Sequence, residues 1–234
     1  MPENASKYDR QVVVTFLGLK EADDRKHFEP QWTALAEKAK QAKPKPIETE
    51  FVICRHKEGN PDQLGASGLA NLKQLTSESR LYLLGHGEFA ERTLGGWGYE
   101  TVIQVLNGRL KAVKLVNVIG CSLARDKGTD DSHPLSDQWQ TSAFGSFCSQ
   151  LHNALKDDLQ IETEVRGYVY KTTVMNPVQY PSELGLKTSM DPGRKYVLPP
   201  GLGELAPGTD HKVSFTWVNG KQVRQRVASK PKVP

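Results

Sequence analysis

The sequence predicts one α/β domain built on a mostly parallel central sheet flanked by helices, with a β-flap or hairpin extension at the C-terminal end. Three observations carry this. Short apolar strands alternate with helical stretches through residue 155, which implies parallel strands joined by helical crossovers. Beyond residue 159 the texture changes to strands and turns. The 234-residue chain, with 37% apolar and 25% charged residues, has the make-up of an ordinary globular protein rather than a disordered one. The domain is expected to occupy residues 1–228, with its β-rich part at about 159–228 and a frayed tail at 229–234.

Residues 8–18, YDRQVVVTFLG, are β-branched and aromatic and read as a first buried strand. Residues 30–42 carry Trp32, Leu35 and Ala39 at helical spacing. KPKP at 43–46 breaks the chain, and 47–54 alternate as a second strand. A helix is expected over 61–75, opening at the Pro61-Asp62 step. Residues 80–84 (RLYLL) and 112–119 (AVKLVNVI) are short and apolar, as strands covered on both faces are. Residues 99–106 supply a crossover helix between them. Residues 136–155 place Trp139, Phe144, Phe147, Leu151 and Leu155 on one helical face, with Ser136 as N-cap. In the C-terminal part, Asn219-Gly220 is a type I′ hairpin signal.

Several classes are set aside. No apolar run approaches the roughly 20 residues that span a bilayer. The N-terminus lacks the apolar core of a secretory signal, so synthesis in the cytoplasm without classical export is expected, with specialised secretion open. Cys54, Cys121 and Cys148 cannot all pair and have no Cys-x-x-Cys spacing, so no disulfide framework or metal site is expected. The net charge of +4 is a mild basic excess of a kind that serves nucleic acid, anionic lipid or a phosphorylated small molecule.

The chemistry gathers at two strand ends. Gly85-His86-Gly87 follows one strand and Gly120-Cys121-Ser122 follows another, so both reactive side chains belong at the carboxyl edge of one sheet, where open α/β sheets place their sites. A thiol needs a partner that raises its thiolate fraction, and a histidine can take the proton and return it to a leaving amine. His86 and Cys121 supply that pair. The Gly87 and Cys121 amides are candidates for an oxyanion hole. Alone, a cysteine after a buried strand is usually a small core residue. Two strand-Gly units bearing His and Cys in one sheet form a more specific pattern.

These residues resemble the clan CD cysteine peptidases, which include caspases, gingipains and clostripain. Within that clan the match is closest to the autoprocessing cysteine protease domain of MARTX and large clostridial toxins. YDRQVVV, LLGHG, TLGGWGYETVIQVL, VIGCSLARD, EVRGYVY, GRKY and KVSFTW carry the narrower resemblance and span most of the chain. The resemblance implies a caspase-like fold and a monomeric toxin or effector domain. It also implies cleavage after leucine, in the chain itself or in another protein, with activation by inositol hexakisphosphate in the host cytosol. By position, the phosphate-binding residues it implies are Arg80, Arg166, Arg194, Lys195 and Lys212, with Lys114 as a further addition. A polyanion needs such convergence of arginine and lysine. Taken singly, each of these is more often part of a solvated charged face.

Two other readings stand beside the peptidase. One is a catalytically silent module of the same fold that binds an inositol phosphate or a protein partner. The other is a thiol acyl transfer, since a nucleophile and oxyanion hole do not specify the acceptor. No nucleic-acid partner is expected.

Overall fold

The structure, a computed structural model, describes residues 8–43, 45–57, 60–126, 129, 145–174, 195–198, 206–207 and 211–227. The chain is α/β, as expected. An eight-stranded sheet has a parallel block at its centre, formed by β1 (Arg10–Phe16), β2 (Glu48–Lys57), β4 (Arg80–Gly85), β7 (Leu115–Ile119) and β8 (Glu164–Tyr168). Antiparallel strands extend it on both sides. β3 (Asn60–Ser67) borders β2, while β12 (Lys212–Val218) and β13 (Lys221–Arg226) continue from β8 as a hairpin turning at Asn219-Gly220. Two short strands, β5 (Gly87–Glu88) and β6 (Thr93–Leu94), form a separate ribbon, and β9 (Lys171–Val174), β10 (Lys195–Leu198) and β11 (Ala206–Pro207) form a small three-stranded sheet.

Alternation along each strand divides the core into two layers. Val12, Val14, Leu81, Leu83, Val116, Val118 and Val165 pack with α2 (Tyr99–Leu106) and α3 (Phe147–Asp157). Val13, Leu17, Tyr82, Leu84, Ile119 and Tyr168 face the other way, toward Phe28, Ala34 and Leu35 of α1 (Glu21–Lys40) and Val197 of β10. No helix among the described residues is long and apolar enough to cross a membrane.

Three expectations are corrected. The segment expected as a helix at 61–75 is instead strand β3, followed by a 3₁₀ turn at Leu69–Gln74. Gly65 and Gly68 each penalise a helix by about 1 kcal/mol. Gly68 also adopts a left-handed φ of 76°, and pairing with β2 satisfies the backbone instead. α1 starts at Glu21, nine residues before the expected Pro30, with Glu21, Asp23 and Asp24 in its first turn on the favourable side of the helix dipole, and it carries Pro30 inside it. α3 starts at Phe147 rather than 136. Gly145 has a φ of 60° and Ser146 caps the helix by accepting from the Ser149 amide at 3.2 Å. The expected Ser136 cap, Trp139 and Phe144 lie outside the described residues.

Candidate active site

β4 and β7 are parallel neighbours whose last paired step is Leu84 with Ile119. Each strand then runs through a glycine, Gly85 or Gly120, into His86 or Cys121. The two segments touch beyond the sheet: a Cβ on Gly87 would fall 2.4 Å from both the backbone N and the backbone O of Cys121. Only glycine permits that approach. A Cβ on Gly120 would likewise sit 2.6 Å from Leu123 Cδ1. The turn continues with Ser122 at a φ of 58°, a left-handed conformation that a side-chain-bearing residue seldom adopts. Cys121 is partly exposed, whereas Cys54 and Cys148 are buried. Burial pushes the Cys54 thiol up to about 12 and the Cys148 thiol higher, so both are inert.

The histidine has a partner that sequence reasoning missed. His86 Nε2 lies 3.2 Å from Asp24 Oδ1, with the histidine side chain 50% exposed and the aspartate 9%. The other Asp24 oxygen accepts the Gly18 amide at the exit of β1. The His86 ring stacks on His27 at 5.2 Å and leans on Phe28 at 5.0 Å. Burial, and then the neighbouring His86, lower the His27 pKa. A carboxylate on one imidazole nitrogen fixes the tautomer and leaves the other nitrogen for a thiol proton. The signal for Asp24 was in the sequence, as an acidic pair just past the next strand of the same edge, but the helix start placed at Pro30 hid it.

Four of the five residues assigned to the anion site converge on the α1 side of the sheet. Arg80 opens β4, stacks over Tyr8 and Tyr82 at 4.9 and 5.2 Å, and donates from Nε to Gln11 Oε1 at 2.8 Å. Lys195 donates to the Tyr82 hydroxyl at 3.2 Å, and Lys212 lies 5.1 Å above the Tyr168 ring. Arg166, in register with Asn117 and Ser214, forms a two-pronged contact with Glu164 at 2.6 and 2.7 Å. Arg194 lies outside the described residues. Lys114 is engaged by Glu78. Burial, then Arg80 and Lys38, pull the Lys195 ammonium well below its usual range. Burial, then chiefly Lys195, bring Lys212 down to about 8. Among the described residues no carboxylate lies within 4.0 Å of either lysine. Lys38, in the last turn of α1, belongs to this field and was not singled out from the lysine-rich run around it.

The two regions are bonded to each other. The Ser122 amide donates to the Tyr170 carbonyl at 3.1 Å and the Ala124 amide to the Tyr168 carbonyl at 3.0 Å. The strand that floors the cationic cluster therefore also holds the turn after Cys121.

Elsewhere, a groove of about 410 Å³ between β2–β3 and α2, lined by Lys57, Gln63, Gln104 and Arg109, is separate from the dyad. Among the described residues no group of three or more metal-ligating side chains is assembled. No family model, curated protein or solved structure matches the chain.

Proposed function

We propose that the chain is a thiol endopeptidase of caspase-like type. Cys121 is the nucleophile, His86 the base and Asp24 the residue that orients His86. The observation that carries the reading is the contact of Gly87 with the Cys121 backbone, which sets the His86 and Cys121 segments side by side at one sheet edge. Cys121 Sγ attacks the scissile carbonyl as its proton passes to His86. The carbonyl oxygen becomes an oxyanion facing the Gly87 and Cys121 amides. Collapse of that intermediate breaks the C–N bond, and His86 returns the proton to the departing amine. Water then hydrolyses the thioester, with His86 again taking and returning a proton.

The resemblance adds cleavage after leucine, a toxin or effector role, and gating by inositol hexakisphosphate. The cationic cluster supports the gating. Arg80, Arg166, Lys195 and Lys212 come together in a partly desolvated place where like charges oppose one another, and a polyanion would relieve that repulsion. Tyr168 connects the cluster to the turn after Cys121, a route by which anion binding would set the nucleophile. The same cluster favours a second reading, a silent module that binds an inositol phosphate, because its described residues, Arg80, Arg166, Lys195 and Lys212, do not include the dyad.

The test is labelling of wild type and Cys121→Ala with an electrophilic leucine peptide, each with and without inositol hexakisphosphate. The expected result is labelling of wild type alone, increased by the phosphate. Equal or absent labelling of the two proteins would discard the peptidase, and phosphate binding in that case would leave the silent module.

A further inference from the structure

The turn that carries Cys121 ends in a buried ion pair. Asp126, five residues beyond the nucleophile, is engaged by Arg224 of β13, and both side chains are at most 2% exposed. Arg224 is in register with Phe215, so it points inward from the last strand of the sheet. Gln222, two residues earlier on the same face, is also buried and donates to the Ser149 carbonyl at 2.9 Å and to Asn153 Oδ1 at 2.8 Å, both on α3. α3 in turn reaches the turn through the Cys148 amide, which donates to the Leu123 carbonyl at 3.0 Å. An edge strand has thus placed an arginine and a glutamine where apolar side chains would pack. Burying two charges costs several kcal/mol per ion, and apolar replacements of both are often neutral or stabilising. Stability alone does not account for the pair. What it supplies is direction, because a guanidinium and a carboxylate meet in few geometries.

We propose that Asp126 and Arg224 are positioning residues for Cys121. The C-terminal hairpin fixes the far end of the nucleophile turn through this pair, while β8 and α3 fix its middle. The proposal rests on Cys121 being the thiol that His86 activates.

The experiment measures the alkylation rate of Cys121 by iodoacetamide against pH, with Cys121→Ala as the blank for Cys54 and Cys148, in the full chain. It compares wild type with Asp126→Leu/Arg224→Met, in which neither charge is left uncompensated, and with Arg224→Lys, which keeps the charge without the fork. Cleavage of a leucine peptide is measured in parallel. Wild type is expected to be alkylated at neutral pH faster than a free model thiol under the same conditions. The double variant is expected to melt at or above the wild-type temperature. Its alkylation at neutral pH should nevertheless slow toward the model-thiol rate, and its kcat should fall roughly 10- to 100-fold at unchanged KM. Arg224→Lys should lie between the two. An activated Cys121 whose pH profile and kcat are the same in the folded variants overturns the proposal alone. Should the double variant fail to fold, Arg224→Lys decides in the same way. An unactivated Cys121 in the wild type overturns the proposal together with the peptidase reading beneath it.

Discussion

The two faces of the central sheet are made by the same strands and are built to opposite ends. On the face under α2 and α3 the inward positions are Val12, Val14, Leu81, Leu83, Val116, Val118 and Val165, an apolar layer. On the other face the same strands contribute Val13, Leu84 and Ile119 near α1, then Gln11, Arg80, Tyr82, Asn117, Arg166 and Tyr168. The period of two lets each strand serve both faces independently. The charged surface arises where one helix covers part of a sheet face and the small β9–β11 sheet meets the rest. Lys195 on β10 and Lys212 on β12 then close over buried tyrosines. Stability is concentrated on one face, and ligand chemistry is assigned to the other.

Truncation on the apolar face should give the largest effect. Leu83 is wholly buried between the sheet and its helices. Leu83→Ala should cost about 3–5 kcal/mol, the transfer term plus the cavity left behind, read from denaturant unfolding. A loss below about 1 kcal/mol would mean that this face is not where the fold is held.

The next effect lies on the same face and depends on pH. His152 of α3 is wholly buried, stacks on Trp217 at 4.7 Å and contacts Gln222 at 2.7 Å. Burial lowers its pKa to about 4, with Lys156 acting in the same direction and the Thr163 backbone, Glu162 and Glu164 opposing. The unfolded chain takes up the proton near the ordinary value of about 6.5, so between pH 6.5 and 4 it binds protons that the folded chain does not. Stability therefore falls as pH falls through that window, by up to about 3 kcal/mol. Urea midpoints measured from pH 7 to pH 4 should show the decline in wild type and a shallower one in His152→Gln. Equal slopes would place the acid sensitivity elsewhere.

The legibility of the sequence follows the same division. RLYLL and LVNVI were readable because strands buried on both faces are continuous apolar runs, and the glycines that end them pointed to His86 and Cys121. Residues 61–75 form a strand and a 3₁₀ turn rather than the expected helix because a local pattern does not reveal that β2 offers an edge to pair with. Asp24 was hidden for a topological reason: it reaches His86 from a different strand-to-helix connection, a meeting that spacing cannot show. Arg224 lies in a stretch of polar residues with no local signal of burial, and only the register against Phe215 turns it inward. The cationic positions Arg80, Arg166, Lys195 and Lys212 came from the family resemblance. Period-two parity puts Arg80 and Tyr82 on one face once the strand is known, but that Lys195 arrives above Tyr82 depends on the separate β9–β11 sheet.

The smallest effect differs from the Leu83 one in kind, because removing the side chain is expected to stabilise the fold rather than weaken it. Lys212 has an ammonium lowered to about 8 by burial and then by Lys195. In the unfolded chain it titrates near the ordinary lysine value of about 10.4, so between pH 8 and 10.4 the unfolded state holds the extra proton and stability rises with pH. The gain is about 1–2 kcal/mol after discounting for partial exposure, or roughly 2–8 °C in melting temperature for a chain of this size. Lys212→Met should remove that rise and melt at or above wild type already at pH 7. A bound polyphosphate reverses the sign, since phosphate oxygens hold the ammonium charged and their stabilisation is lost as pH climbs. Melting curves from pH 7 to 10, with and without inositol hexakisphosphate, therefore distinguish an anion site from a decorated surface. Opposite slopes in the two series, both flattened by Lys212→Met, fit a face built to receive a polyanion. Parallel slopes would mean that the convergence of Arg80, Arg166, Lys195 and Lys212 is not a polyphosphate site, whatever Cys121 does.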